Sequence, residues 1–438
     1  MWTLGQRIKE LRKEANLTQQ ELSEGIVTRA YISQIEKGLV QPSYETLKLL
    51  AARLRCQVED LFVEPENKIL HLSESKRKIK MAEAFIESGS MDQAAKVIHS
   101  LANSKGEQIL TGPAKGVYLW IKGKLKEHAH KWEAAAEYFS QSKELLANSS
   151  NTREFIRSID SLGYAYLQLN RNPEAITTLN EGLFCLARES LGGILQISLY
   201  VNIGIAHERM GETHSAIRLL LQAKELNESA QLLYRHGQIL HTLGTCYRGI
   251  GQLQDAETCF RMALSFFEMM ADRENCAETK TSLGRLYREL SQFDLSIRHL
   301  QEALHQYQQL HHPPGIFMAY EELAHAHMES QRFQEAEQLC QDLISLDLAD
   351  GKHRVLAHRL LGDAARLQGN DAAALRHYEL SLHCLEDLSL LASEHRQICT
   401  RLADVYYERG NYQEAAHYYR LACGNPDRPA DQQKTVKP

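Results

Sequence analysis

Residues Leu243–Phe260 read LGTCYRGIGQLQDAETCF. A small residue, Gly244, follows the opening leucine; a second, Ala256, comes twelve positions later, and a large one, Phe260, four beyond that. On helices this spacing lets two segments approach closely at the small residues while the large one fills the space between them. The same arrangement recurs on both sides, as LGYAYLQLNRNPEAITTL from Leu162, IGIAHERMGETHSAIRLL from Ile203, LGRLYRELSQFDLSIRHL from Leu283, LAHAHMESQRFQEAEQLC from Leu323, LGDAARLQGNDAAALRHY from Leu361 and LADVYYERGNYQEAAHYY from Leu402. The first small residue falls at Gly163, Gly204, Gly244, Gly284, Ala324, Gly362 and Ala403, so the period is close to 40 residues. Two weaker copies, around Gly123 and Ala82, bring the count to nine.

This small–small–large pattern resembles the tetratricopeptide repeat, a helix pair with a usual period of about 34 residues. The usual late proline is absent, and the longer period implies helices extended by about a turn. The resemblance implies a right-handed superhelix of about nine helix pairs whose first helices line a concave face suited to an extended peptide or a partner helix. On positions expected to face it stand Tyr164, Asn202, Gln238, His241, Thr242, Thr245, Arg248, Arg285, Arg288 and Arg359. An asparagine amide can satisfy both an N–H and a C=O of a peptide backbone, and arginines suit an acidic side chain or a terminal carboxylate.

Before the repeats, residues 4–62 give helix signals in quick succession. Leu4, Ile8 and Leu11 share one face, with Asn16 as a stop. Thr18 followed by Glu21 has capping-box spacing, and Thr28 caps a helix running to Lys37, stopped by Gly38. Pro42-Ser43 opens a helix with Leu47, Leu50 and Leu54 on one face; Val58, Leu61 and Phe62 close a bundle of five short helices. These residues resemble the Xre/Cro helix-turn-helix family over 4–62. The segment between the second and third helices is one residue tighter than the common form, with Gly25 placed to take φ > 0.

That likeness implies a third helix, Thr28–Lys37, docked in a major groove. Thr28, Arg29, Ala30, Ser33 and Gln34 lie on the face that Ile32 and Ile35 do not need for the core. Arg29 suits guanine, Gln34 adenine and Ala30 a thymine methyl. Gln19 resembles the family's phosphate-touching glutamine, with Lys37 and Ser43 as further phosphate contacts, while Arg12 and Glu36 resemble an internal pair tying the first helix to the third.

The composition sets limits. The chain is 43% hydrophobic and 24% charged, enough to bury a core. No apolar run approaches the ~20 residues of a membrane span, and no secretory leader is evident, so a cytoplasmic protein without a membrane partner is expected. The nine cysteines contain no CxxC pair and read as reduced core residues. Residues 1–62 hold nine Lys and Arg against eight Asp and Glu, so any case for DNA rests on where the charges stand rather than on their sum. Glu321, His325 and His327, and the run His311-His312-Pro313-Pro314, read as packed or loop histidines. With no HExxH, P-loop or GxSxG motif, the sequence offers no catalytic residues, no metal ligands and no cofactor, and no enzyme is expected.

The combination, an all-α chain with an N-terminal lambda-repressor-like domain (1–63), a linker (64–75), a repeat domain (76–423) and a flexible tail (424–438), resembles the quorum-sensing peptide receptors of Gram-positive bacteria. That is the Rap, NprR, PlcR and PrgX group, and the likeness is strongest to its neutral-protease-regulator type. The resemblance implies a homodimer or higher oligomer that binds a double-stranded operator and is switched by a short signalling peptide. Two other readings stay open: repeats that dock a protein such as a sporulation response regulator, or repeats that only oligomerise the DNA-binding domains.

Overall fold

The computed structural model describes residues 4–62, 65–104, 106–147, 149, 151–189, 192–346, 351–386 and 392–423; the tail 424–438 lies outside them. Among the described residues there are helices and turns and no strand. The chain divides into two compact units, one up to Asn202 and one from Ile203 on.

The first unit opens with α1 (Leu4–Glu14), α2 (Gln19–Ser23), α3 (Arg29–Glu36) and α4 (Tyr44–Arg53), closed by a 3-10 turn at Val58–Leu61. Their ends are set by side chains close in sequence. The Glu21 amide donates to Thr18 Oγ1 at 3.2 Å and the Thr18 amide donates to the Glu21 carboxylate at 2.6 Å, completing the capping box. Thr28 and Ser43 accept from the Tyr31 and Thr46 amides and start α3 and α4. Asn16 (φ 55°) ends α1 and Gly38 (φ 72°) follows α3. Ile8, Leu22, Ile32, Ile35, Leu47, Leu50 and Leu61 form one buried cluster, each worth roughly 1.5–3 kcal/mol of transfer from water. At Gly5 a Cβ would stand 1.9 Å from the Ile35 carbonyl oxygen, so α1 crosses α3 backbone against backbone.

Among the described residues nine helix pairs follow. They begin with α5 (Pro65–Glu87) and α6 (Met91–Asn103), then, after the single turn α7 (Gly106–Ile109), α8 (Gly112–His128) with α9 (Trp132–Leu146). Next come α10 (Thr152–Gln168) with α11 (Asn172–Arg188), α12 (Ile194–Arg209) with α13 (Thr213–Ser229) and α14 (His236–Gly249) with α15 (Leu253–Met269). The series ends with α16 (Arg273–Glu289) and α17 (Phe293–Gln309), α18 (Pro313–Glu329) and α19 (Phe333–Ser345), α20 (Lys352–Leu367) and α21 (Asp371–Glu386), and α22 (Ala392–Glu408) and α23 (Tyr412–Ala422). From Pro65 the segment 64–75 is the start of α5.

The repeat pattern has a direct steric meaning. A Cβ on Gly163 would meet the Leu179 side chain at 2.4 Å, one on Gly244 would meet Phe260 at 2.7 Å and one on Gly362 would meet Tyr378 at 2.4 Å. In each pair the space a side chain would need is filled by the large residue that follows on the second helix. Where serine replaces alanine at the second small position, Ser296 Oγ donates to the Gly284 carbonyl at 2.7 Å, so the buried hydroxyl is satisfied. Helices of 17 residues, as in α10, α11, α16 and α17, account for the long period. The cysteines are free thiols, with Cys246, Cys276, Cys340 and Cys399 buried.

Candidate functional site

On α3, Ile32 and Ile35 face the core, and Arg29, Ala30, Gln34 and Lys37 are exposed, with Thr28 exposed at the cap and Ser33 half-buried. No ion pair or hydrogen bond engages the side chains of Arg29, Gln34 or Lys37 among the described residues, so their donors are open to a partner. The helix is held from beneath. Arg12 Nε donates to Glu36 Oε1 at 2.6 Å, Nη2 to Oε2 at 3.2 Å, and Nη1 to the Leu17 carbonyl at 2.8 Å. Burial pushes the Glu36 carboxyl up, but the bonds from Arg12 and Gln19 and the charges of Arg12 and Lys9 outweigh it and hold it below the usual range.

Gln19, expected at a phosphate, donates from Nε2 to Glu36 Oε2 at 2.7 Å and so belongs to this bracing as well. Ser43 is both exposed and the cap of α4. Gly25, with φ 70°, takes the left-handed turn between α2 and α3.

The residues expected to face a ligand on the repeats fall in both units. In the first, Tyr164 is half-buried with its ring edge-on to Trp132 at 5.9 Å. Asn202 is 1% exposed and donates to Asp160 Oδ1 at 2.8 Å, beside Ser198, which donates to Oδ2. Its amide thus spans two successive repeats.

In the second unit, Gln238 accepts from Arg235, and His241 meets Ser282 Oγ at 3.0 Å. Thr242 and Thr245 return their hydroxyls to their own helix, at the Gln238 and His241 carbonyls. The arginines are all engaged. Arg248 pairs with Glu289 at 2.6 Å, Arg285 Nε donates to Glu322 Oε1 at 2.7 Å, and Arg288 binds both Glu322 and Glu329. Arg359, 5% exposed, pairs with Glu321. Burial pushes the Glu322 carboxyl up, yet Arg285 and Arg288 bring it below the usual range.

Residue type and spacing do not announce this ladder of charge, although it leaves a signal in the chain. Arg248 and Glu289 stand 41 residues apart, Arg285 and Glu322 37, and Arg401 and Asp363 38: opposite charges about one repeat apart.

The histidines near Glu321 are packed, whereas His311 is exposed in the turn before Pro313 and His312 is half-buried. His327 is 9% exposed, and burial pulls its pKa and that of His325 down. His312 caps α18, accepting from the Gly315 amide at 3.0 Å. Among the described residues no group of His, Cys, Asp and Glu is placed to hold a metal ion, and no helix is long and apolar enough to cross a membrane.

Comparison with known proteins matches residues 8–61 to the helix-turn-helix family model. Tetratricopeptide-repeat models match residues 195–269, 235–309, 281–353 and 366–431. An immunity repressor of Bacillus phage phi105 is 43% identical over 63 residues, 14% of this chain and 44% of the repressor. An HTH-type transcriptional regulator of Archaeoglobus fulgidus is 36% identical over 64 residues, 14% of this chain and 90% of that protein. Over the repeats, the Tonsoku-like protein of Danio rerio is 26% identical across 53% of this chain, which spans only 16% of that relative.

Among solved structures, the apo form of the quorum sensor NprR from B. thuringiensis superposes with a TM-score of 0.61 at 15% identity, covering 81% of this chain and 99% of that one. NprR in complex with its cognate peptide NprX gives 0.53 at 16% identity, covering 80% and 98%. At such identities the likeness is one of fold.

Proposed function

We propose that this chain, which belongs to the helix-turn-helix family of DNA-binding regulators and carries a tetratricopeptide-repeat domain, is a cytoplasmic transcriptional regulator controlled by a short peptide bound along the repeats. The observation that carries the DNA half is the face of α3, where Arg29, Gln34 and Lys37 are exposed and unengaged on a helix braced by Arg12, Glu36 and Gln19. Two such helices in a homodimer meet paired half-sites of an operator.

The peptide half rests on the fold shared with NprR, one structure of which holds the peptide NprX, and on the groups along the first helices of the repeats. A peptide carboxylate reaching Arg285 or Arg288 must take them from Glu322, so binding exchanges an inter-repeat ion pair for a ligand contact. That exchange gives the ligand a differential interaction with two arrangements of the repeats, without which no switch operates.

Selection of an operator from random duplexes with the full chain, followed by titration of Arg29→Ala, tests the DNA half. A loss of about 1–3 kcal/mol confined to one operator position is expected; uniform weakening on every sequence reassigns Arg29 to a phosphate. Mass spectrometry of the protein isolated from its own cells tests the other half. A bound short peptide is the expected result, and a response-regulator protein or nothing in its place overturns it.

A further inference from the structure

The helix-turn-helix domain has little positive charge to spare. Against eight acidic residues, positions 1–62 carry nine basic ones, and three of those serve the fold. Arg7 is 3% exposed and donates to the Asp60 carbonyl, Arg12 holds Glu36, and Arg53 donates to the Glu21 carbonyl at 2.8 Å. Duplex DNA presents about one negative charge per 1.7 Å of axis, and neutralising it supplies most of the sequence-independent affinity. A nearly neutral domain furnishes a small share of that.

The next basic run stands on α5, where Lys76-Arg77-Lys78-Ile79-Lys80 places four cations in five residues. Ser75 and Ile79 turn inward and are buried, while Lys76, Arg77 and Lys80 are exposed. At 3.6 residues per turn these three side chains fall within an arc of roughly 100° on one side of the helix. Lys78 is paired with Glu74 at 3.3 Å; no ion pair or hydrogen bond engages the other three among the described residues. α5 begins at Pro65, just after the 3-10 turn that ends at Leu61. From Pro65 to Lys76 the helix rises about 17 Å, roughly half a turn of duplex DNA.

We propose that Lys76, Arg77 and Lys80 form a phosphate-binding face that grips the duplex beside the sequence read by α3. The face adds affinity that does not depend on sequence and leaves discrimination to Arg29 and Gln34. It rests on the DNA-binding role proposed for α3, and its partner is identified by charge. Three unpaired cations on one side of a helix, next in the chain to a domain that must bind a polyanion, complement a phosphate backbone. Lys76 and Lys80 also edge a cleft of about 400 Å³ floored by Ile79, Ala114 and Val117. A protein or peptide seated there is the competing use of the same lysines.

Salt titration of the full chain on its selected operator distinguishes them. For the triple variant K76Q/R77Q/K80Q, the slope of log affinity against log salt falls by about 0.9 for each phosphate that is no longer neutralised, so by about 2–3 per bound chain. Preference for the operator over unrelated duplex is retained, and K76R/K80R keeps the wild-type slope. An unchanged slope in a triple variant that melts like the wild type overturns the proposal and leaves the lysines to the cleft. Absence of duplex binding by the wild type, even at low salt, is a different result: it removes the DNA-binding role itself, and this face with it.

Discussion

The amide of Asn202 sits 1% exposed, donating at 2.8 Å to an Asp160 carboxylate that also takes the Ser198 hydroxyl. Residue type suggests an amide offered to a peptide backbone; the neighbouring repeat gives it a partner instead. Truncation leaves a half-buried carboxylate short of a donor, which costs about 1–3 kcal/mol. Asn202→Ala is therefore expected to lower the unfolding free energy by that amount, read as a lower urea midpoint with an unaltered slope of the transition. Unchanged stability together with a lost peptide response would return the side chain to ligand binding. Arg12 and Glu36 differ, because that pair is marked in the sequence by its resemblance to one the helix-turn-helix family uses internally. It joins two helices of one small domain whose register is fixed by caps at Thr18 and Thr28, whereas Asp160 and Asn202 meet 42 residues apart across a repeat boundary.

Between elements, the turns carry the period as clearly as the helices do. A left-handed residue stands two positions before the second helix of a pair at Asn170, Gly211, Gly251, Ser291 and Gln331. A second series falls between pairs, at Gln231, Ala271 and His311, spaced by the same 40 residues. Alanine is the least suited of these. It has no side-chain group to bond locally, and the left-handed region costs an L-residue about 1–2 kcal/mol. Part of that is offset because glycine loses more entropy on folding. Ala271→Gly is thus expected to stabilise the chain by roughly 0.5–1 kcal/mol, read as a rise in the melting temperature. A fall would show that the turn is held by something other than backbone strain. The helix pairs can be read from sequence because small and large residues sit in register; the non-glycine turn residues cannot, since Gln, Ala and His carry no turn signature of their own.

For the whole molecule, histidine burial sets the response to acid. In the second unit burial pulls His236, His241, His299, His325, His327, His358 and His377 below the ordinary value of 6.5. The rings of His358 and His377 also stack, with Nδ1 atoms 3.4 Å apart. Below pH 6.5 the unfolded chain binds protons that these folded sites resist, so stability falls as pH falls. Glu322, held low by Arg285 and Arg288 against its burial, acts later: its contribution is present above its ordinary 4.5 and is lost as pH drops through the depressed value. Melting curves between pH 7.5 and 5.5 (~0.5-unit steps) are expected to show Tm declining from about pH 6.5 downward. A flat profile to pH 5.5 would mean that these histidines protonate freely in the folded state.

What the sequence determined by itself is whatever depends on residues close together in the chain or on strict repetition. Capping pairs, the tight turn at Gly25, the apolar faces of α1 to α4 and the small–small–large spacing all belong here, and they sufficed for an all-α chain of a helix-turn-helix domain and nine helix pairs. The exposed face of α3 was legible for the same reason, since Ile32 and Ile35 claim the other side. Tertiary structure alone decided the partners of the charged and polar side chains on the first helices of the repeats. Helical periodicity says which way a side chain points, but not what stands opposite it. That is settled only when the next repeat, some 40 residues on, is packed alongside, as Glu289 against Arg248 and Glu322 against Arg285 and Arg288 demonstrate.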